Sequence, residues 1–200
     1  MKEASRSFLH ELAGYLERNA AALVADADTH ITDFSLLTPQ ARARYEASAD
    51  YYHGRPISAE DLLREMEMAR VDIALSWQNP AATHYPGEIE ANFESLLAAN
   101  RYVHHSAVKY LGRIIPGGWT DPKACGVEGA KRIAEACVIE FGFPFVKMNP
   151  AQNAYAIDSP EVVAVVDRIV ELGAVPAFHF GADSPYTPAD GLERLLQRHP

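Results

Sequence analysis

The stretch LVADADTHITDF, residues 23–34, places two carboxylates and an imidazole at two-residue spacing. Small and apolar residues lead into Asp26, Asp28 and His30, a pattern that indicates a buried strand. Side chains alternate between the two faces of a strand, so in a regular strand these three would share one face. Carboxylate and imidazole groups are ligands of Zn²⁺ and similar ions. We therefore expect chemistry at the end of this strand, with Asp26 in a rim or backbone role.

A second imidazole follows the last predicted strand, AVPAFHFG, at His179. Functional sites of parallel α/β sheets and barrels form at the carboxyl ends of the strands. Asp28, His30 and His179 would together supply the three protein ligands that a catalytic zinc site typically has. Taken alone, each residue could instead have a purely structural role, because a histidine near a strand end is often a hydrogen-bonded core residue.

Four further residues fall at the ends of predicted strands and have two open interpretations. Lys147 either takes part in the site, where it is a catalytic candidate, or forms an ion pair with a carboxylate. Trp77, Trp119 and Asn149 are candidates for lining a substrate pocket, but aromatic residues in such positions often serve only packing.

Five short apolar runs alternate with segments of helical period, which predicts five βα units. The predicted strands are LVADADTH, VDIALSW, LGRIIPGGW, FPFVKMNP and AVPAFHFG, and each is followed by a helix signal. Strands that are apolar except at their carboxyl ends belong in a parallel sheet covered by helices. Residues 31–56 show no clear period, and we expect them to form a functional loop. His53 and His84 lie in loops that could approach the site.

Composition narrows the function classes. The chain has 200 residues, 48% of them hydrophobic, and a formal net charge of −9. Such a charge repels nucleic acid and anionic membranes, so small molecules or proteins are the expected partners, and a homo-oligomer stays open. No signal peptide or apolar span is visible, which favours a cytoplasmic location. Cys125 and Cys137 fall at opposite ends of one predicted helix and are interpreted as packing residues.

Two segments, VADADTHITD and FPFVKMNPAQNAYAIDSPEVVAVVDRIVELGAVPAFHFG, resemble the amidohydrolase superfamily. Within it they are similar to the amidohydrolase-2 branch, which includes aminocarboxymuconate-semialdehyde decarboxylase and related aromatic-acid decarboxylases and lactonases. The resemblance implies a (β/α)8 TIM-type barrel with one metal ion at its carboxyl face. Residues 1–21 would form an N-terminal helical extension, and residues 22–200 the first five or so βα units of the barrel.

By this resemblance the His-x-His motif of the first strand corresponds to Asp28 and His30, and the fifth-strand ligand to His179. An acidic residue in the first position is also seen in decarboxylases of the family. The family's sixth-strand histidine and eighth-strand aspartate, the expected catalytic group, would lie beyond residue 200, since a complete barrel takes about 250 residues.

The resemblance implies a metal-dependent hydrolase that uses a metal-activated water, most simply on Zn²⁺, to attack an amide, ester or lactone. One alternative is non-oxidative decarboxylation of an aromatic or unsaturated carboxylic acid. A second alternative is a non-catalytic barrel that has lost its site, since Asp28 stands where histidine is usual.

Overall fold

The computed structural model describes residues 23–47, 55–181 and 184–199, together with a few residues between 10 and 18. Those few are helical, and the remainder of the predicted N-terminal helix, like His53, lies outside the described residues. Within the described part of the chain, no helix is long and apolar enough to cross a membrane.

Five parallel strands form one sheet in the order of the sequence. They are β1 (Ala25–Ile31), β2 (Ile73–Gln78), β3 (Ile114–Trp119), β4 (Phe145–Met148) and β5 (Val175–Phe178). All five agree with the predicted strands. Parallel neighbours in consecutive order, each joined to the next through helices, are the arrangement of a (β/α)8 barrel. The predicted fold class, with five βα units of that barrel, is confirmed.

Seven α-helices are described between and after the strands. They are α1 (Pro39–Glu46), α2 (Ala59–Ala69), α3 (Ile89–Lys109), α4 (Pro122–Glu135), α5 (Pro150–Asn153), α6 (Pro160–Glu171) and α7 (Ala189–Arg198). A 3₁₀ turn covers Phe34–Leu36, and a π-helical segment, Ala136–Glu140, continues α4.

Local signals in the sequence account for the helix ends. Ser58 and Asp61 form a reciprocal capping box at the start of α2. Gly126, with φ of +67°, interrupts α4 within its first turns. Gly173 ends α6 with φ of +79°, a conformation that costs glycine little.

The expectation of an irregular loop over residues 31–56 is wrong for part of the segment, because residues 39–46 form α1. Thr38 caps this helix, its hydroxyl accepting a hydrogen bond from Ala41 N at 3.1 Å, and Pro39 opens the first turn. No residue of α1 is buried, so the segment has no apolar stripe from which a period could be recognised.

The main core lies between the sheet and its covering helices. Leu62, Leu96, Ile133, Val165 and Ile169 are buried members of it from four helices. Both cysteines are buried and unbridged, as the packing interpretation predicts. Burial raises the pKa of the Cys125 thiol to about 12.

Candidate active site

A cleft of about 630 Å³ opens at the carboxyl ends of the strands. The described residues that line it are Asp28, His30, Asn79, Pro80, Ala81, Trp119, Asn149, Ala151, Gln152 and His179. Five of the seven residues proposed as metal ligands, catalytic group or pocket lining therefore lie in one cleft. The other two, Trp77 and Lys147, are buried: Lys147 contacts the lining residue Asp28, and Trp77 packs against Lys147.

The first strand is less regular than its sequence indicates. Its register against β2 shifts between Asp26 and Thr29, which marks a β-bulge, so the strict alternation expected from Asp26 to His30 is interrupted. Asp26 Oδ1 accepts a hydrogen bond from the Asp28 N–H at 3.2 Å, which agrees with the rim or backbone role expected for it. Asp28 still lies near His30, with 3.7 Å between its Oδ1 and His30 Nε2.

One hydrogen bond sets the orientation of the His30 ring. Nδ1 lies 2.9 Å from the carbonyl oxygen of Gln78 at the end of β2. A carbonyl only accepts, so Nδ1 carries the proton and, in the neutral ring, Nε2 keeps its lone pair. Metal-binding histidines are held in this way by a second hydrogen bond. The edge of the ring also packs against Trp119, with centroids 5.9 Å apart.

The surroundings favour the neutral form of this imidazole. Burial lowers the pKa of His30, and the Lys147 ammonium and His179 act in the same direction. The Gln78 hydrogen bond and the Asp28 carboxylate oppose that shift but do not cancel it. At neutral pH, His30 Nε2 is therefore available as a ligand.

Lys147 forms an ion pair on the floor of the cleft. Its Nζ lies 2.5 Å from Asp28 Oδ1, and its side chain is only 5% exposed. The ammonium also lies 5.0 Å from the centroid of the Trp77 ring and 5.5 Å from that of Trp119, distances typical of cation–π contacts. The interpretation of Lys147 as the partner of a carboxylate is thus correct, and that carboxylate belongs to a proposed metal ligand.

Trp77 occupies its position because β3 has no side chain opposite it. A Cβ atom added to Gly117 would overlap the Trp77 ring. The absence of a side chain at Gly117 thereby leaves room for the Trp77 indole beside Lys147. Trp77 is buried and serves packing rather than lining the cleft directly.

Asp28, His30 and His179 have donor chemistry that suits a divalent ion, but they match a metal site only in part as they stand. Ligands of one ion at about 2.0–2.2 Å can be 3.7 Å apart, as Asp28 Oδ1 and His30 Nε2 are. Among the described residues, however, no three His, Cys, Asp or Glu side chains are already gathered around one point. His179 lines the same cleft, and its backbone N–H donates to Met148 O at 3.0 Å. The ligand roles of these three residues stay predictions.

Of the two remaining candidates, Asn149 lies in the cleft and His84 does not. Asn149 lines the cleft, but its side chain also caps α5, accepting from Gln152 N at 3.0 Å. His84 is exposed and borders a separate cleft. The sequence interpretation missed Gln78, which orients His30, and Asn79, which lines the cleft. Their position directly at the end of β2 was the signal that could have identified them.

Solved enzyme structures share this fold. A 2,6-dihydroxybenzoate decarboxylase in complex with 2,6-dihydroxybenzoate superposes with a TM-score of 0.61 at 15% identity, over 90% of this chain and 55% of the other. A 5-carboxyvanillate decarboxylase from Novosphingobium aromaticivorans with bound manganese gives 0.64 at 14% identity, over 88% and 55%. A 4-oxalomesaconate hydratase from Rhodopseudomonas palustris gives 0.52 at 14%, over 77% and 52%.

A solved structure of a putative amidohydrolase from Staphylococcus aureus shares the fold as well. At such identities the agreement establishes the fold, and this chain spans about half the length of each. No protein-family model matches the sequence, and no curated protein matches it.

Proposed function

We propose that this chain carries part of the active site of a metal-dependent enzyme that acts on a small organic molecule. The observation that carries the proposal is the geometry of His30. Its Nδ1 donates to Gln78 O, which leaves Nε2 facing Asp28 in a cleft that His179 also lines. Asp28, His30 and His179 are the proposed ligands.

The proposed cofactor is one divalent metal ion. Zn²⁺ suits a carboxylate with two imidazoles, and Mn²⁺ is the second candidate because a structure of the same fold contains manganese. Such an ion, when bound, would polarise a substrate oxygen or lower the pKa of a bound water to about 7. The chain itself would orient His30 through Gln78 and enclose the substrate beside Trp119.

For the reaction, we favour non-oxidative decarboxylation of an aromatic or unsaturated carboxylic acid. Two observations support it: the acidic residue at the first ligand position, and the decarboxylases among the structures of the same fold. The second is an argument by analogy of fold. Hydrolysis of an amide, ester or lactone is the second candidate, because the same ligands could activate a water molecule.

Metal titration tests the proposed site. We expect the full-length protein to bind Mn²⁺ or Zn²⁺ in isothermal titration calorimetry, and His30→Ala and His179→Ala each to weaken binding at least tenfold. His105→Ala, at an exposed position of α3, is the matched control and should leave binding unchanged. Absence of metal binding by the full-length protein, or equal binding by all variants, would refute both enzyme hypotheses and favour the non-catalytic barrel.

Product analysis separates the two reactions. The metal-loaded protein is incubated with 2,6-dihydroxybenzoate and, separately, with an aryl ester and a lactone. Decarboxylation releases CO₂ from the acid, whereas hydrolysis consumes water and produces a new acid. Formation of acid from the ester or lactone without release of CO₂ would reverse our preference.

A further inference from the structure

The ion pair between Lys147 and Asp28 is strongly asymmetric. The Lys147 side chain is 5% exposed and flanked by two indole rings, whereas the Asp28 side chain, on β1, is 54% exposed among the described residues. Asp28 can therefore turn toward another cation, but the ammonium of Lys147 cannot follow it into water. A buried charge that loses its partner is strongly disfavoured unless another anion replaces it.

Among the described residues, two hydrogen-bond donors beside Lys147 have no acceptor. The indole nitrogens of Trp77 and Trp119 are buried and have no hydrogen-bond partner among the described residues. The rings that carry them are the same two that flank the Lys147 ammonium. Buried donors normally have acceptors, so a ligand group with acceptor oxygens suits this place. Because Trp119 lines the cleft, such a group can arrive from it.

We propose that Lys147 is a carboxylate-binding residue that Asp28 covers until a metal ion or another change draws Asp28 away. A ligand carboxylate then takes the place of Asp28 at the ammonium. This proposal depends on the proposed function in one respect only, namely that a metal ion binds Asp28. Metal and ligand carboxylate should therefore bind cooperatively. The metal takes Asp28 out of the ion pair, the ligand carboxylate takes its place at Lys147, and each raises the affinity for the other, because such a coupling is reciprocal.

The test without metal uses Asp28→Asn, which frees Lys147 while keeping the shape of residue 28. Both tryptophans of the chain flank Lys147, so intrinsic tryptophan fluorescence reports on this site alone. We expect Asp28→Asn to bind benzoate at least tenfold more tightly than the unmodified chain in the absence of metal. Neutral benzamide should show no such gain, and Asp28→Asn with Lys147→Met should lose it. Equal benzoate binding by Asp28→Asn and the unmodified chain would overturn the proposal.

Further measurements keep the test decisive if Asp28→Asn fails to fold. Asp28→Ala removes the carboxylate by another route and should show the same gain. In the metal-loaded chain, Lys147→Met should weaken benzoate binding at least tenfold, with Lys109→Met on the surface as the matched control. Lys147→Met should also bind the metal at least as tightly as the unmodified chain, because the competitor for Asp28 is gone. Unchanged benzoate binding by Lys147→Met would refute the role of Lys147.

The two proposals fail in different ways. If the unmodified full-length protein binds no metal, the proposed enzyme function is refuted, and the metal-free comparison of Asp28→Asn with its double variant still decides the role of Lys147. If metal binds and His30→Ala removes it, but benzoate affinity does not depend on Lys147, only the inference about Lys147 is wrong.

Discussion

Asn100 of α3 and Trp119 of β3 are joined by two hydrogen bonds. The Asn100 side chain donates to the Trp119 carbonyl oxygen at 2.9 Å and accepts from the Trp119 N–H at 2.8 Å. Both residues are fully buried. The side chain thus replaces a strand partner where β3 ends, and it holds in place the residue whose ring lines the cleft.

Replacing Asn100 with leucine should destabilise the fold. The Trp119 N–H and carbonyl would both stay buried without this partner, at a cost of about 2–4 kcal/mol in the free energy of unfolding. Urea denaturation followed by circular dichroism measures this loss. Arg101→Leu, at the neighbouring exposed position, should change stability by less than about 0.5 kcal/mol. A loss below about 1 kcal/mol for Asn100→Leu would show that the pair does not stabilise the strand end.

The sequence predicted the fold well because the strands and most of the helices carry a local signal. Apolar runs mark the five strands, and Ser58 or Gly173 marks a helix end, so the order of βα units follows without knowledge of tertiary contacts. Helix α1 was missed because it buries no residue, and hydrophobic periodicity detects only helices with an apolar face.

The candidate site was predicted in outline for a topological reason: carboxyl ends of parallel strands meet at one edge. That rule brought His30, Asn149 and His179 together. Contacts between distant residues could not be predicted. The pair between Lys147 and Asp28 joins residues 119 positions apart, and it depends on the bulge in β1 and on the volume left open at Gly117.

Gly117→Ala should disturb the floor of the cleft. The added methyl group would overlap the Trp77 ring, which is buried and must shift. Overpacking of this kind costs about 1–3 kcal/mol. We expect a lower midpoint in urea and a changed tryptophan emission spectrum. Gly181→Ala is the matched control, since a Cβ there meets nothing within 4 Å. If both variants behave alike, the Trp77 ring does not depend on the absence of a side chain at residue 117.

The contact between α2 and the end of α3 predicts a pH dependence. Glu60 Oε1 accepts hydrogen bonds from Lys109 Nζ at 2.8 Å and Tyr110 Oη at 2.6 Å, and these lower the pKa of the Glu60 carboxyl to about 2 from 4.5. Because the folded state holds the proton less tightly, this contribution to stability is present above pH 4.5. It is lost as the pH falls from 4.5 toward 2.

The matching experiment compares stability between pH 6 and pH 2. Glu60→Gln removes the charge and should flatten this part of the profile, whereas Glu94→Gln, an equal charge change at an exposed position of α3, should not. The effect should shrink in high salt, because the pair is exposed and screened. An NMR titration that finds the pKa of Glu60 near 4.5 would contradict the prediction.

The pKa of His30 connects the electrostatics of the cleft with metal binding. Burial chiefly lowers the pKa of His30, and the Lys147 ammonium lowers it further. Replacing Lys147 with methionine removes that positive charge and leaves the Asp28 carboxylate nearby, so the pKa of His30 should rise relative to the unmodified chain. NMR titration of the imidazole C–H signals measures it, with Lys109→Met as the control that should leave the pKa unchanged.

The pKa of His30 determines how strongly a proton competes with a metal ion for His30 Nε2. In the unmodified chain the lowered pKa keeps His30 neutral at pH 7, and metal affinity should fall only when the pH drops below that pKa. In Lys147→Met the fall should begin at higher pH, because the proton is held more tightly. Calorimetric metal titrations from pH 5 to pH 8 on both proteins make the comparison. Identical pH profiles would mean that the charge of Lys147 does not reach His30 Nε2.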